Sequence, residues 1–179
     1  MHHILLCGEV GAGKSTLIRR LLSYAAMPIS GFVTKRQAED ETGFHPIYIH
    51  PAAQAENQRV CSEDNLVGTC DRRTHNIRLE AFDTLGARYI RSARPGSILV
   101  MDELGFMEAQ ASLFTAAVFI ALDESVPVLA AVKARYDVPF LNQVRAHPNA
   151  VVYTVTTENR DVLYRKLLRE MDAWKESWL

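Results

Sequence analysis

The uninterrupted run Gly8-Glu9-Val10-Gly11-Ala12-Gly13-Lys14-Ser15-Thr16 fits the pattern G-x-x-x-x-G-K-[ST], whose chemistry is the gripping of a polyphosphate. Its glycines allow the tight turn that aims several backbone N–H groups inward, and a helix opening at Gly13 adds the positive end of its dipole. Lys14 has the reach for β and γ phosphates, and the Ser15 hydroxyl is placed to ligate Mg²⁺. A second run, Ile98-Leu99-Val100-Met101-Asp102-Glu103, is an apolar strand that ends in two acids. Downstream of a phosphate-binding loop such a strand supplies Asp102 for the metal, usually through water. Glu103 is then left to orient or deprotonate a water facing the γ-phosphate.

Both runs need a frame that brings them to one edge. The phosphate-binding loop sits between an apolar strand at 3–7 and a helix at 13–26, where Leu17, Ile18, Leu21 and Leu22 recur at helical spacing. Further apolar runs at 97–102, 127–132 and 150–155 predict buried strands, and helical patterns fall at 76–93, 109–123 and 158–176. The last helix is expected to start after Thr156-Thr157 as a cap and to bury Val162, Leu163, Leu167, Leu168 and Met171. Four continuous apolar runs separated by helices imply a mostly parallel α/β sheet with helices on both faces. Residues 31–36 and 44–50 alternate at strand period around the acidic tip Glu39-Asp40-Glu41-Thr42-Gly43, which reads as a hairpin, and 51–73 reads as short strands and loops.

At 179 residues, 48% of them hydrophobic, the chain suits one core, so a single domain over 1–179 with a hairpin insertion at about 31–50 is expected. A formal net charge of −1 offers no general attraction to nucleic acid or to an anionic membrane. The apolar stretch 113–122 is too short to span a bilayer. Three cysteines, Cys7, Cys61 and Cys70, make neither an even disulfide set nor a metal spacing, and Met1-His2-His3 leads straight into a strand without a signal-peptide pattern. The expectation is a cytoplasmic protein with reduced thiols.

The sequence resembles the nucleoside-triphosphatase family of P-loop proteins, the thermophilic or cancer-related NTPase type. The resemblance is carried by Gly8 to Thr16, Gly31-Phe32-Val33-Thr34, Asp102-Glu103-Leu104-Gly105-Phe106-Met107-Glu108, Val128-Leu129-Ala130-Ala131-Val132-Lys133 and Thr156-Thr157-Glu158-Asn159-Arg160-Asp161. It implies a RecA-like core with added strands, in which 127–132 lies between 3–7 and 97–102. It also implies slow hydrolysis of nucleoside triphosphates (ATP, GTP, CTP and UTP) with little choice of base. The chain has Phe106 where similar proteins commonly carry lysine, Glu41-Thr42 where an arginine often precedes the second Gly-Phe, and only a loose match over Val67 to Arg73.

Further candidates surround this core. Asn159 and Arg160 follow the fourth buried strand and Lys133 ends the third, so each is a candidate for base or phosphate contact at the sheet's carboxyl edge, as is Arg135. Arg72, Arg73 and Arg135 lie in expected loops and could serve the γ-phosphate as an arginine finger does. Arg88, Arg91 and Arg94 share one helix face, which reads as solvated surface or as a partner patch. Three functions remain open: an Mg²⁺-dependent triphosphatase in which Glu103 positions water, a small-molecule or nucleotide kinase, and a regulatory ATPase stimulated by a partner. Nothing in the sequence names a protein partner.

Overall fold

The computed structural model describes residues 2–71 and 73–178. Along the chain run β1 (His3–Gly8), α1 (Lys14–Ala25), β2 (Ile29–Arg36), β3 (His45–Pro51), β4 (Leu66–Cys70) and β5 (His75–Ile77). Then follow α2 (Leu79–Ala81), a π-helical turn (Phe82–Gly86), α3 (Ala87–Arg91), β6 (Ile98–Leu104) and α4 (Ser112–Asp123). The chain closes with β7 (Val128–Lys133), α5 (Pro139–Arg145), β8 (Ala150–Thr154) and α6 (Arg160–Glu176). All eight strands form one sheet in the order β5-β4-β3-β2-β6-β7-β1-β8. From β2 to β8 in that order neighbours are parallel, and β2 to β5 pair antiparallel. The third apolar strand thus lies between the strand before the glycine loop and the acid-tipped strand, the order that the resemblance implies.

Both faces of the parallel half are covered because its central strands β1, β6 and β7 are apolar and buried over most of their length. Alternate side chains serve opposite faces. Leu5 packs in a cluster with Leu99, Met101, Phe114, Phe140 and Leu141, beneath α3, α4 and α5. Ile4 and Leu6 join the other cluster with Leu17, Leu21, Leu129, Leu167 and Trp174, beneath α1 and α6. In α1 the buried Leu17, Ile18, Leu21 and Ala25 fall at three- and four-residue spacing, which turns one stripe to the sheet. Each such Leu or Ile side chain contributes roughly 1.5–3 kcal/mol on full burial, so the two elements that flank the glycine loop are firmly held.

The join between the parallel and antiparallel halves depends on Gly31. Its φ is 96°, and a Cβ there would meet the Val100 carbonyl oxygen at 1.9 Å, so only glycine lets β2 close against β6. The hairpin begins at Ile29, two residues earlier than its pattern suggests, and its first strand is a full member of the sheet.

Other elements differ from the sequence reading for local reasons. The helix expected from Asn76 starts at Leu79, because His75–Ile77 pairs with β4 and the Arg78 N–H bonds the Val67 carbonyl at 2.8 Å. Asp83, in the π-helical turn, accepts the N–H groups of Leu113 and Phe114 at 2.7 and 2.9 Å and caps α4 across space. β8 is an edge strand with Val152 37% exposed, and Val162 on α6 faces solvent, while Met171 and Trp174 take the buried side. The short helix α5 has Pro139 in its first turn and ends just before His147-Pro148, a pair that reads as a helix stop. Among the described residues no helix is long and apolar enough to cross a membrane.

Candidate active site

The loop from Gly8 to Gly13 leaves the carboxyl end of β1 and enters α1 through Gly13, which caps the helix at φ 97°. A side chain at that φ is strained, and a Cβ would come within 3.1 Å of an Arg160 guanidinium nitrogen. Lys14 folds back along the loop and is only 6% exposed. Its Nζ donates to the carbonyls of Gly8 and Glu9 at 2.7 and 3.0 Å. The same nitrogen lies 3.1 Å from Glu103 Oε1. That ion pair lacks hydrogen-bond geometry, so this otherwise unpartnered buried oxygen keeps its capacity to accept.

Ser15, next in the chain, donates its hydroxyl to Asp102 Oδ1 at 2.9 Å. Burial raises the Asp102 pKa, the Ser15 hydrogen bond pulls it back, and the neighbouring Glu103 charge pushes it further up. A carboxylate in such a position gains from a cation. Hydroxyl and carboxylate oxygens side by side suit a hard divalent ion that keeps water and phosphate oxygens as its other ligands. No cluster of three or more His, Cys, Asp or Glu among the described residues offers a cage made by the protein alone.

Thr34 steadies the acids from the neighbouring strand. Its register places Val33 opposite Asp102, and its Oγ1 lies 3.4 Å from both the Asp102 carbonyl and the Glu103 N–H, donating to the first and accepting from the second. Glu108 closes the turn after β6 by accepting the Gly105 N–H. This carboxyl is 3% exposed, and burial pushes its pKa up to about 7; the Gly105 hydrogen bond and Lys133 draw it down, and Glu103 adds to the rise.

Two cavities flank the loop, with Val10, 86% exposed, bordering both. One, of about 330 Å³, is walled by Glu103, Glu108, Lys133, Thr34, Arg36 and His75, among others. The other, of about 460 Å³, lies between the loop and the segments after β7 and β8, reaching Ala134, Tyr136 and Thr154 to Thr157. Residues 133–136, the end of β7 and the turn that follows it, pass between the two. Lys133 and Arg135 approach the Phe106 ring, at 5.3 and 5.1 Å, on the first side, whereas Ala134 and Tyr136 face the second. Arg145 of α5 braces this segment through the carbonyls of Lys133 and Arg135, both at 2.9 Å, and its guanidinium lies 4.4 Å from the centre of the Tyr136 ring.

The structure therefore gathers Gly8 to Ser15, Asp102, Glu103 and Lys133 around one loop, with Arg160 over Gly13 and Thr16 one turn into α1 beside Arg19. Asn159 instead shapes its own turn: its side chain donates to the Thr154 carbonyl at 2.8 Å and accepts the Thr156 N–H at 2.9 Å. Arg135 forms a two-pronged pair with Asp137, at 2.8 and 2.6 Å. Arg88 and Arg91 are exposed on α3, Arg94 lies beyond its end, and Arg73 is exposed near Asp71. Arg72 lies outside the described residues. Thr34, Glu108 and Tyr136 carry no role in the sequence reading. The aromatic of Ala134-Arg135-Tyr136-Asp137, directly after a predicted parallel strand, was the one available signal.

Comparison with known proteins bears on this arrangement as a whole. A family model described as NTPase matches residues 3–168. The chain is 28% identical over 176 residues to a protein named nucleoside-triphosphatase THEP1 from Aquifex aeolicus, covering 92% of this chain and 96% of that one. A protein of the same name from Thermofilum pendens is 29% identical, with 94% of each chain covered. The crystal structure of THEP1 from the hyperthermophile Aquifex aeolicus shares the fold at a TM-score of 0.72 and 22% identity, across 95% of this chain and 99% of that chain.

Proposed function

Since the chain belongs to the NTPase family and is a nucleoside triphosphatase, we propose that it hydrolyses ATP, GTP, CTP and UTP to the diphosphate and phosphate, slowly, with Mg²⁺ and with broad tolerance of the base. The observation that carries the reading is the paired contact Lys14–Glu103 and Ser15–Asp102, at 3.1 and 2.9 Å, beneath the glycine loop.

In this reading the amides from Gly8 to Thr16 and the Lys14 ammonium bind the β and γ phosphates, and phosphate oxygens replace the loop carbonyls around Lys14. Ser15 and Asp102 would hold Mg²⁺, which neutralises charge on the phosphates. Glu103 aligns a water in line with the γ-phosphorus and accepts its proton as the new P–O bond forms and the bond to the departing diphosphate breaks. Thr34 keeps the peptide that bears Glu103 in place. One domain spanning 1–179 and acting in the cytoplasm fits this reading.

Phosphate release across the four triphosphates, with identification of every phosphorylated product, tests it. We expect diphosphate and free phosphate alone. Glu103→Gln should retain nucleotide while turnover falls by about 10²–10⁴-fold, the usual reach of a positioned base. Unchanged turnover in that variant would remove Glu103 from its role, and a new phosphorylated acceptor would favour a kinase.

A further inference from the structure

We propose that Tyr136 is the stacking platform for the nucleobase and that the cavity of about 460 Å³ is the base and ribose site. The inference rests on the triphosphatase reading, because it takes the phosphates to lie in the glycine loop.

The Tyr136 ring is 70% exposed and lines the cavity, so it has a face open to a ring that enters there. Tyr136 is also held in place. The Asn142 side chain donates to the Tyr136 carbonyl at 2.8 Å, and Arg145, itself donating to Asn142 at 2.6 Å, lies against the ring. A ring fixed before binding loses little freedom when a second ring stacks on it. It stands across the cavity from Gly8 to Ala12, on the side of the loop away from Glu103, where the far end of a triphosphate gripped by Lys14 would emerge.

The rest of the lining explains what the site would not do. Only Glu9 among its side chains is charged and none is an amide. Thr156 Oγ1 accepts the Asn159 N–H at 3.2 Å, and Thr157 Oγ1 donates to Glu158 at 2.5 Å. Little remains to read a base edge. Stacking accepts every base because every base has a π face, so affinity here comes with weak discrimination.

Equilibrium dialysis of wild type, Tyr136→Ala and Tyr136→Phe with ADP, GDP, CDP and UDP, and with pyrophosphate as the control that lacks a base, decides the matter. In Tyr136→Ala the Kd for all four diphosphates should rise about tenfold, within the range found when a stacking aromatic is truncated. Tyr136→Phe should bind as wild type, and pyrophosphate should bind all three proteins equally. Diphosphate affinities unchanged in Tyr136→Ala, or pyrophosphate affinity lost in equal measure, would overturn the proposal. The assay reads binding, so a chain that binds through Tyr136 yet releases no phosphate would refute the hydrolytic reading alone.

Discussion

The cavity behind Glu103 and the cavity in front of Tyr136 share Val10, and β7 ends at the first where the turn after it enters the second, yet their walls are of opposite kinds. The first gathers Glu103, Glu108, Lys133 and Arg36, and its charges perturb one another. The second is lined by small apolar, hydroxyl and aromatic groups with little charge. On the proposed reading, charge lies where bonds between phosphorus and oxygen change, and the flat apolar surface lies where a base only has to rest. The division also follows the sheet: the antiparallel strands wall the charged side, and β8 with its following loop walls the other.

Variants can break or sharpen this division. Lys14 lies between the two sides, so Lys14→Ala should lower kcat/KM by about a thousandfold in a phosphate-release assay. Near-normal activity would dissolve the comparison.

Glu108 belongs to the charged side alone. Its carboxyl is protonated in both folded and unfolded chains below about pH 4.5, and the folded pKa lies at about 7. As pH climbs between those values the unfolded chain ionises first, so stability present at low pH is lost. Glu108→Gln should flatten that decline and be more stable above pH 7 by on the order of 3 kcal/mol, seen in denaturant midpoints measured against pH. Equal slopes for the two proteins would show that the carboxyl is not held neutral.

Asp102→Asn should raise the Mg²⁺ concentration needed for half-maximal rate by about tenfold or more, with little change in diphosphate Kd measured without metal. A metal titration that superimposes on wild type would take Asp102 out of the cation's surroundings. The smallest effect is expected from Phe106→Leu. It removes the ring that faces Lys133 and Arg135 and should cost up to about 1 kcal/mol in a denaturant titration, leaving the base side untouched.

The elements that hold the phosphate side were readable because their signals are dense. The nine-residue run from Gly8 to Thr16, the apolar strand before it and a second apolar strand that ends in two adjacent acids specify β1, α1 and β6. The side around Tyr136 was not readable in the same way. Tyr136 lies in a non-periodic segment, and what gives it rigidity, Arg145 on a short helix, is a contact across space without a pattern of its own. Glu108 was readable only as part of the segment that carries the resemblance, since sequence does not show that a turn folds it inward. Ile77 and Val162 mislead for a simpler reason. Each falls at a helical spacing, yet one is a strand residue and the other is on the wet side of its helix, because β4 and Trp174 supply the partners that local pattern cannot foresee.

The hydrogen bonds by which Arg145 holds the carbonyls of Lys133 and Arg135 tie the charged cavity and the cavity of Tyr136 to one short helix. A substitution at Arg145 would loosen both walls together, although its side chain lines neither.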